Sequence, residues 1–273
     1  MADEASEHAE RRRQADQVDT SRPSVARAWN YLAGGRDNFE ADRRAVREVL
    51  AVAPVMSAVG PAARAFQRRV VAFLAAQAGI RQFLDIGPGM PMPGSTHEVA
   101  RAIAPDSRVV YADIDPVVIA HARALLAATR PGRTACLEVD ARDTVRVIAG
   151  AASCLDLTRP AAVIMMGLLP AIAPLDSARA VVRDLARALP PGSYVAIRHA
   201  ASDLDPSILA GARAWNRACP SAPLVPRSRH EVASLVDGLE PVAPGLVPVN
   251  RWRPDGQGGD LTAPLYGVVA RRP

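Results

Sequence analysis

The chain has 273 residues, 49% of them hydrophobic, enough to bury the core of one large α/β domain with additions. No uninterrupted apolar run approaches the ~20 residues of a membrane span, and the charged stretch 1–17 lacks the apolar core of a signal peptide. The net charge of +5 comes from 33 scattered basic residues, all arginine, and with aromatics at 4% there is no base-stacking platform, so nucleic acid is not expected as a partner.

Residues 1–21 read as a flexible, mixed-charge tail, and residues 22–79 as a helical cap. Ser24 is placed to cap a first helix carrying Val25, Ala28, Trp29 and Leu32 at helical spacing, and Gly34-Gly35 stops it. The polar turn Arg36-Asp37-Asn38-Phe39 opens a second helix, which runs through Val46, Val49 and Leu50 to Pro54. A third spans about 61–77, with Pro61 in its first turn and Gly79 at its exit. From residue 80 to 273 strands and helices alternate. Strands are expected at 81–86, 108–113, 134–139, 161–166 and 193–198, and two more near 240–247 and 264–271. Helices are expected at 95–104, 116–129, 143–150, 176–189, 205–217 and 228–236. This alternation predicts a doubly wound, Rossmann-like parallel sheet closed by an antiparallel pair.

The stretch Phe83-Leu84-Asp85-Ile86-Gly87-Pro88-Gly89 is a buried strand ending in an acid and a glycine turn. Ligands of open α/β sheets bind beyond the carboxyl ends of the strands, where strand order reverses. A dinucleotide fingerprint would carry a third glycine at the position of Met92 and run straight into a helix. Here the next helix waits for Ser95, whose Ser95-Thr96-His97-Glu98 fits a capping box. A long, proline-stiffened loop suits a ligand without a pyrophosphate, such as S-adenosylmethionine (SAM). Acids recur at later strand ends: Asp113 to accept ribose hydroxyls, and Asp140 to accept an adenine amine. Asp115 reads as the N-cap of the helix begun by Pro116. Gly167 ends the fourth strand. That ordered set fits an adenosyl ligand better than any one member does.

Several segments carry a family resemblance. They are residues 23–39 (Tyr31-Leu32-Ala33-Gly34-Gly35-Arg36-Asp37-Asn38-Phe39 at their end), Phe83-Leu84-Asp85-Ile86-Gly87, Thr96-His97-Glu98-Val99-Ala100, residues 109–118, and Arg251-Trp252-Arg253-Pro254-Asp255. Through them the chain resembles the class I SAM-dependent methyltransferases. More closely, it resembles the actinobacterial S-adenosyl methyltransferase family once described as a domain of unknown function. The resemblance runs from about Ser21 to the end. It implies a seven-stranded sheet in which only the last strand runs antiparallel. It also implies that Asp85, Gly87, Pro88 and Gly89 meet the methionine part of SAM, that Asp113 and Ile114 meet the ribose side, and that Asp140 and Ala141 meet the adenine. Arg36 would pair with the SAM carboxylate, with Tyr31 and Gly167 lining the same mouth. Two positions depart from the family: Pro88 stands where Thr is usual, and the apolar segment 167–174 stands where a polar one with His is usual.

Methyl transfer from a sulfonium needs alignment and exclusion of water, with a general base only when the acceptor must lose a proton. His199, at the end of the fifth strand, is the candidate base; His97, His121 and His230 read as helix-terminal or surface residues. Cys136, Cys154 and Cys219 show no zinc spacing, so a reduced cytoplasm is expected and no metal centre. The apolar rim at 168–175 points to a small, partly hydrophobic acceptor. Two other readings remain open at this stage: a SAM-binding sensor or interaction protein without transferase activity, and an NAD-type oxidoreductase. The missing third glycine weighs against the latter, as does the absence of any lysine.

Overall fold

The computed structural model describes residues 19–126, 133–256 and 262–273. The tail expected over 1–21 lies, up to residue 18, outside the described residues, as do 127–129 of the expected fifth helix.

The apolar runs form the sheet. Its strands are β1 (Gln82–Ile86), β2 (Arg108–Asp113), β3 (Thr134–Glu138), β4 (Ala162–Met166), β5 (Tyr194–Ala200), β6 (Glu240–Pro241), β7 (Val247–Pro248) and β8 (Leu265–Arg271). Their order is β3-β2-β1-β4-β5-β8-β6, with β7 also on β8. The first five are parallel, and β8 runs antiparallel to β5, β6 and β7. One expectation needs amending. The sheet has eight strands rather than seven, because its last row is split. Glu240 and Pro241 pair with Arg271 and Ala270, while Val247 and Pro248 pair with Gly267 and Tyr266. Val242 still donates its N–H to the Val269 carbonyl at 2.8 Å, and the following 243–246, with Pro244 and Gly245, leaves the ladder, where a proline has no N–H to donate.

The helices are α1 (Val25–Leu32), α2 (Glu40–Val52), α3 (Val59–Ala76), α4 (Thr96–Ile103), α5 (Pro116–Leu126), α6 (Thr144–Ala151), α7 (Leu175–Arg187), α8 (Ile208–Ala218) and α9 (Arg229–Ala233). Strand alternation sorts the core into two layers. Phe83, Val109, Tyr111, Ile164 and Ala196 face α1, α2, α3 and α8; Leu84, Ile86, Val110, Met165 and Ile197 face α6 and α7. Asp85 shares the parity of Phe83, so it points under the N-terminal helices.

Asp42 fixes the corner of that layer. Its carboxylate accepts the backbone N–H groups of Ser24 and Phe39, each at 2.8 Å, and pairs with buried Arg27 at 2.8 Å. The Ser24 hydroxyl makes no bond to its own helix. It donates across the fold to Asp115 at 3.2 Å, tying the cap to the loop after β2. The resemblance segment around Trp252 locks α3 to the end of the sheet. Arg69 donates to the Trp252 and Val249 carbonyls at 3.0 and 2.7 Å, and the buried Trp252 ring meets Phe66 and Phe73 edge-on. Among the described residues no helix is long and apolar enough to cross a membrane.

Gly60, in the first turn of α3, lets α1 end directly against it: a Cβ there would collide with the Leu32 carbonyl and the Ala33 nitrogen. Backbone cannot swing aside as a side chain can. Gly60→Ala is therefore expected to cost about 3 kcal/mol in urea unfolding despite its better helix propensity. Wild-type stability in that variant would mean the two helices separate freely.

Candidate functional site

Strand order reverses between β1 and β4, and a cleft of about 400 Å³ opens there at the carboxyl ends of the strands. That volume lies in the range of small-ligand sites. Asp85, Gly87, Pro88, Gly89, Asp113, Ile114 and Gly167 all line it. Gly87 and Gly89 have φ of +67° and +70°, conformations that side chains rarely adopt. Gly87 also passes close to Leu168, whose Cβ would sit 3.2 Å from any Cβ added there. Pro88 sits between the two glycines and lines the same cleft.

Asp85 is 1% exposed. Its Oδ2 accepts the Thr96 hydroxyl at 2.6 Å, while Oδ1 is buried without a partner. Burial pushes its carboxyl up to about 7; the Thr96 bond opposes this and the neighbouring Asp113 adds to it. Burial likewise raises Asp113 to about 6, although the Asp115 N–H donates to it at 2.9 Å. Asp115 caps α5 through the Val117 N–H at 2.9 Å, as its place before Pro116 predicts. An orphaned carboxylate oxygen and a second raised carboxyl in one cleft are what a ligand with cationic and hydroxyl groups would satisfy, and an adenosyl amino acid carries both.

The structure places other expected residues away from this cleft. Arg36 is exposed, because the turn is pinned by an Asn30–Asn38 side-chain bond at 2.9 Å and an Asn38 bond to the Gly35 carbonyl at 3.0 Å. Tyr31 is half-buried and lies toward Arg47. Asp140 and the buried Ala141 follow β3 and do not line the cleft; the Asp140 carboxylate, half-buried, is held by Arg142 at 2.9 Å, which keeps it below the usual carboxylate range. His199 is fully buried and does not line the cleft. Its Nδ1–H donates to the Ala200 carbonyl and its Nε2 accepts from Arg227, both at 2.8 Å. Burial lowers it to about 4. A neutral ring with both nitrogens engaged has no route to a substrate proton, so the base role expected for His199 does not fit. Leu169 is fully buried, and Leu168 alone of that pair faces the cleft. His97 bonds the Tyr111 hydroxyl at 2.8 Å, while His121 and His230 are exposed.

Sequence reasoning missed four contributors. Asn30 and Trp29 from α1, Arg64 from α3 and Arg198 from β5 all line the cleft. The Asn30 Nδ2 is buried and unpartnered, and the Arg64 charge is felt by Asp85. Among the described residues no cluster of acids, His and Cys is arranged to hold a metal ion.

Comparison with known proteins follows the same line. A family model described as S-adenosyl methyltransferase matches residues 11–273. A DUF574-family crystal structure from Streptomyces avermitilis is 37% identical, covering 94% of this chain and all of that one, with a TM-score of 0.88. A candidate methyltransferase from Thermobifida fusca is 35% identical over 93% of this chain and 96% of that one, with a TM-score of 0.86. No curated protein matches the sequence. With the cleft, the strand order and the family model in agreement, the chain belongs to the S-adenosyl methyltransferase family, whose cofactor is SAM.

Proposed function

We propose that the chain transfers a methyl group from SAM to a small, partly apolar acceptor in the cytoplasm. One observation carries the acceptor class. An apolar chamber of about 60 Å³, walled by Leu32, Val46, Val49, Met56, Trp215 and Leu224, adjoins the cofactor cleft beyond β4 and shares Trp29, Gly167 and Arg198 with it, so that an acceptor's apolar body would span the chamber and the neighbouring end of the cleft. In this reading Asp113 takes the ribose hydroxyls and Ile114, exposed at the rim, covers one side of the adenosine. Asp85 takes the amino group of the methionine part, with Asn30 and Arg64 placed for its carboxylate.

When bound, SAM supplies a methyl on a sulfonium, which departs as the neutral thioether. The chain's own residues orient the two partners and exclude water, which is the main demand of such a displacement. The thiols of Cys136 and Cys219 support a reducing compartment.

Calorimetric titration with SAM, S-adenosylhomocysteine (SAH) and NAD tests the reading. Micromolar SAM and SAH binding with none for NAD is expected, followed by release of SAH in the presence of small apolar acceptors. SAM binding without transfer to any of them would favour a sensor. No SAM binding would end the reading.

A further inference from the structure

Arg198 is a buried cation in the cleft without an acid partner among the described residues. It lies near the end of β5, 3% exposed, with its Nε buried and unpartnered. Among the described residues its guanidinium makes one hydrogen bond, from Nη2 to the Met166 carbonyl, and no ion pair. It stacks on the Trp29 ring at 4.3 Å from the centroid, which holds its plane at the boundary between the cofactor cleft and the apolar chamber. Gly167 leaves room for it, since a Cβ there would collide with the guanidinium. Desolvation pushes the group down to about 9, with no carboxylate near enough to offset it. A buried charge without a counter-ion is expensive to keep. Among the described residues the other buried arginines are better satisfied: Arg27 has Asp42, Arg69 has Asp255 and two carbonyls, and Arg227, which also lacks a carboxylate, has His199 and three carbonyls.

We propose that Arg198 binds a carboxylate on the methyl acceptor, which makes the acceptor a small organic acid with an apolar body. The inference rests on the methyltransferase reading above. One guanidinium balances one negative charge, and the walls around it are apolar, so a monoanion fits and a phosphate dianion does not. The planar fork of arginine matches a carboxylate in two parallel hydrogen bonds. The carboxylate of SAM is assigned to Arg64, which lines the cleft and whose charge is felt by Asp85. Asp113 ends β2 and the glycine turn follows β1, whereas Arg198 lies two residues before the end of β5, on the other side of β4. At about 4.8 Å per strand its backbone is roughly 10 Å from β1, and its guanidinium reaches back only to the end of β4, where it bonds the Met166 carbonyl. The amino-acid end of the cofactor cleft has its own cation in Arg64.

The test uses the full chain loaded with SAH. Benzoate, phenylacetate and 2-naphthoate are titrated against their primary amides, with wild type, Arg198→Met and Arg198→Lys. At least one acid is expected to bind tenfold or more tightly than its amide. Arg198→Met should erase that preference and Arg198→Lys retain part of it, with the SAH Kd changing less than threefold in both. The Tm of ligand-free Arg198→Met should equal or exceed that of wild type, since a cost has been removed; a strut would show the opposite. The proposal is overturned if no acid is preferred, if the preference survives in Arg198→Met, or if that variant loses SAH tenfold, which would assign Arg198 to the cofactor. Should Arg198→Met not fold, the residue is a strut and the proposal falls. Failure of wild type to bind SAH sinks the methyltransferase reading and this inference together; SAH binding without acid preference sinks this inference alone.

Discussion

Replacing Asp113 with alanine is expected to weaken SAM and SAH binding by about a hundredfold or more at pH 8, with the fold retained. The carboxylate sits at the end of β2, where the chain turns into the loop that lines the cleft. Its two oxygens match two vicinal ribose hydroxyls, and each hydrogen bond to a charged group contributes about 1.5–3 kcal/mol. Two such bonds amount to about a hundredfold to ten-thousandfold in affinity. The Asp115 N–H, which now donates to Asp113, would turn to water at the cleft mouth, so the stability cost should be small. Asp113→Asn keeps one acceptor and should fall between the two. Titration calorimetry on all three proteins checks this, with urea unfolding as the control for folding. Affinity within threefold of wild type in the alanine variant would put the ribose elsewhere.

The ends of β1, β2, β4 and β5 were legible because those strands are largely buried on both faces, and a continuous apolar run has few other readings; β3, half-buried at the sheet edge, followed from the alternation. Asp85, Gly87, Gly89 and Asp113 came with them, since strand ends and strand order alone bring those residues together. What the sequence did not reveal depends on facing. Along β5, Ala196 packs against the cap side while Val195 and Ile197 pack against the other layer. By alternation Arg198 goes with Ala196, into the cleft, and His199 goes with Ile197, away from it. Choosing His199 over Arg198 was a choice of face, and the face is decided by where α1 comes to rest on the sheet, some 170 residues earlier in the chain. Arg64 and Arg36 show the same effect. Arg64 reads as the solvated side of an amphipathic helix, but that side of α3 overlooks the cleft. Arg36 reads as a mouth residue until the Asn30–Asn38 bond turns it outward. The split last row was missed because two-residue strands on either side of Pro244 carry no periodicity.

Asp85→Asn should produce opposite changes in stability and binding. The carboxyl of Asp85 stands at about 7 in the folded chain, raised by burial above its ordinary value near 4. A group raised on folding holds its proton in the folded state across that window. Its contribution is therefore fully present below about pH 4 and is lost as pH rises through 7, on the order of 4 kcal/mol in all. Asparagine reproduces the protonated form and can still accept the Thr96 hydroxyl that now bonds Oδ2. Ligand-free Asp85→Asn should thus be more stable than wild type at pH 8 and similar to it at pH 4–5, which thermal melts across that range would read. Binding should move the other way. A cationic amino group favours the ionised carboxylate, so wild-type affinity for SAM should fall as pH drops below 7, with a proton released on binding, detectable by calorimetry in buffers of different ionisation enthalpy. Asp113, raised to about 6, extends the same trend to lower pH. The asparagine variant should lose most of the SAM affinity at pH 8, and the part of the pH dependence near 7 should vanish with it. A variant that binds SAM as tightly as wild type, or a wild-type melting profile with the same pH slope as the variant, would mean that Asp85 is a structural acid and that the charge of the cofactor is met elsewhere in the cleft.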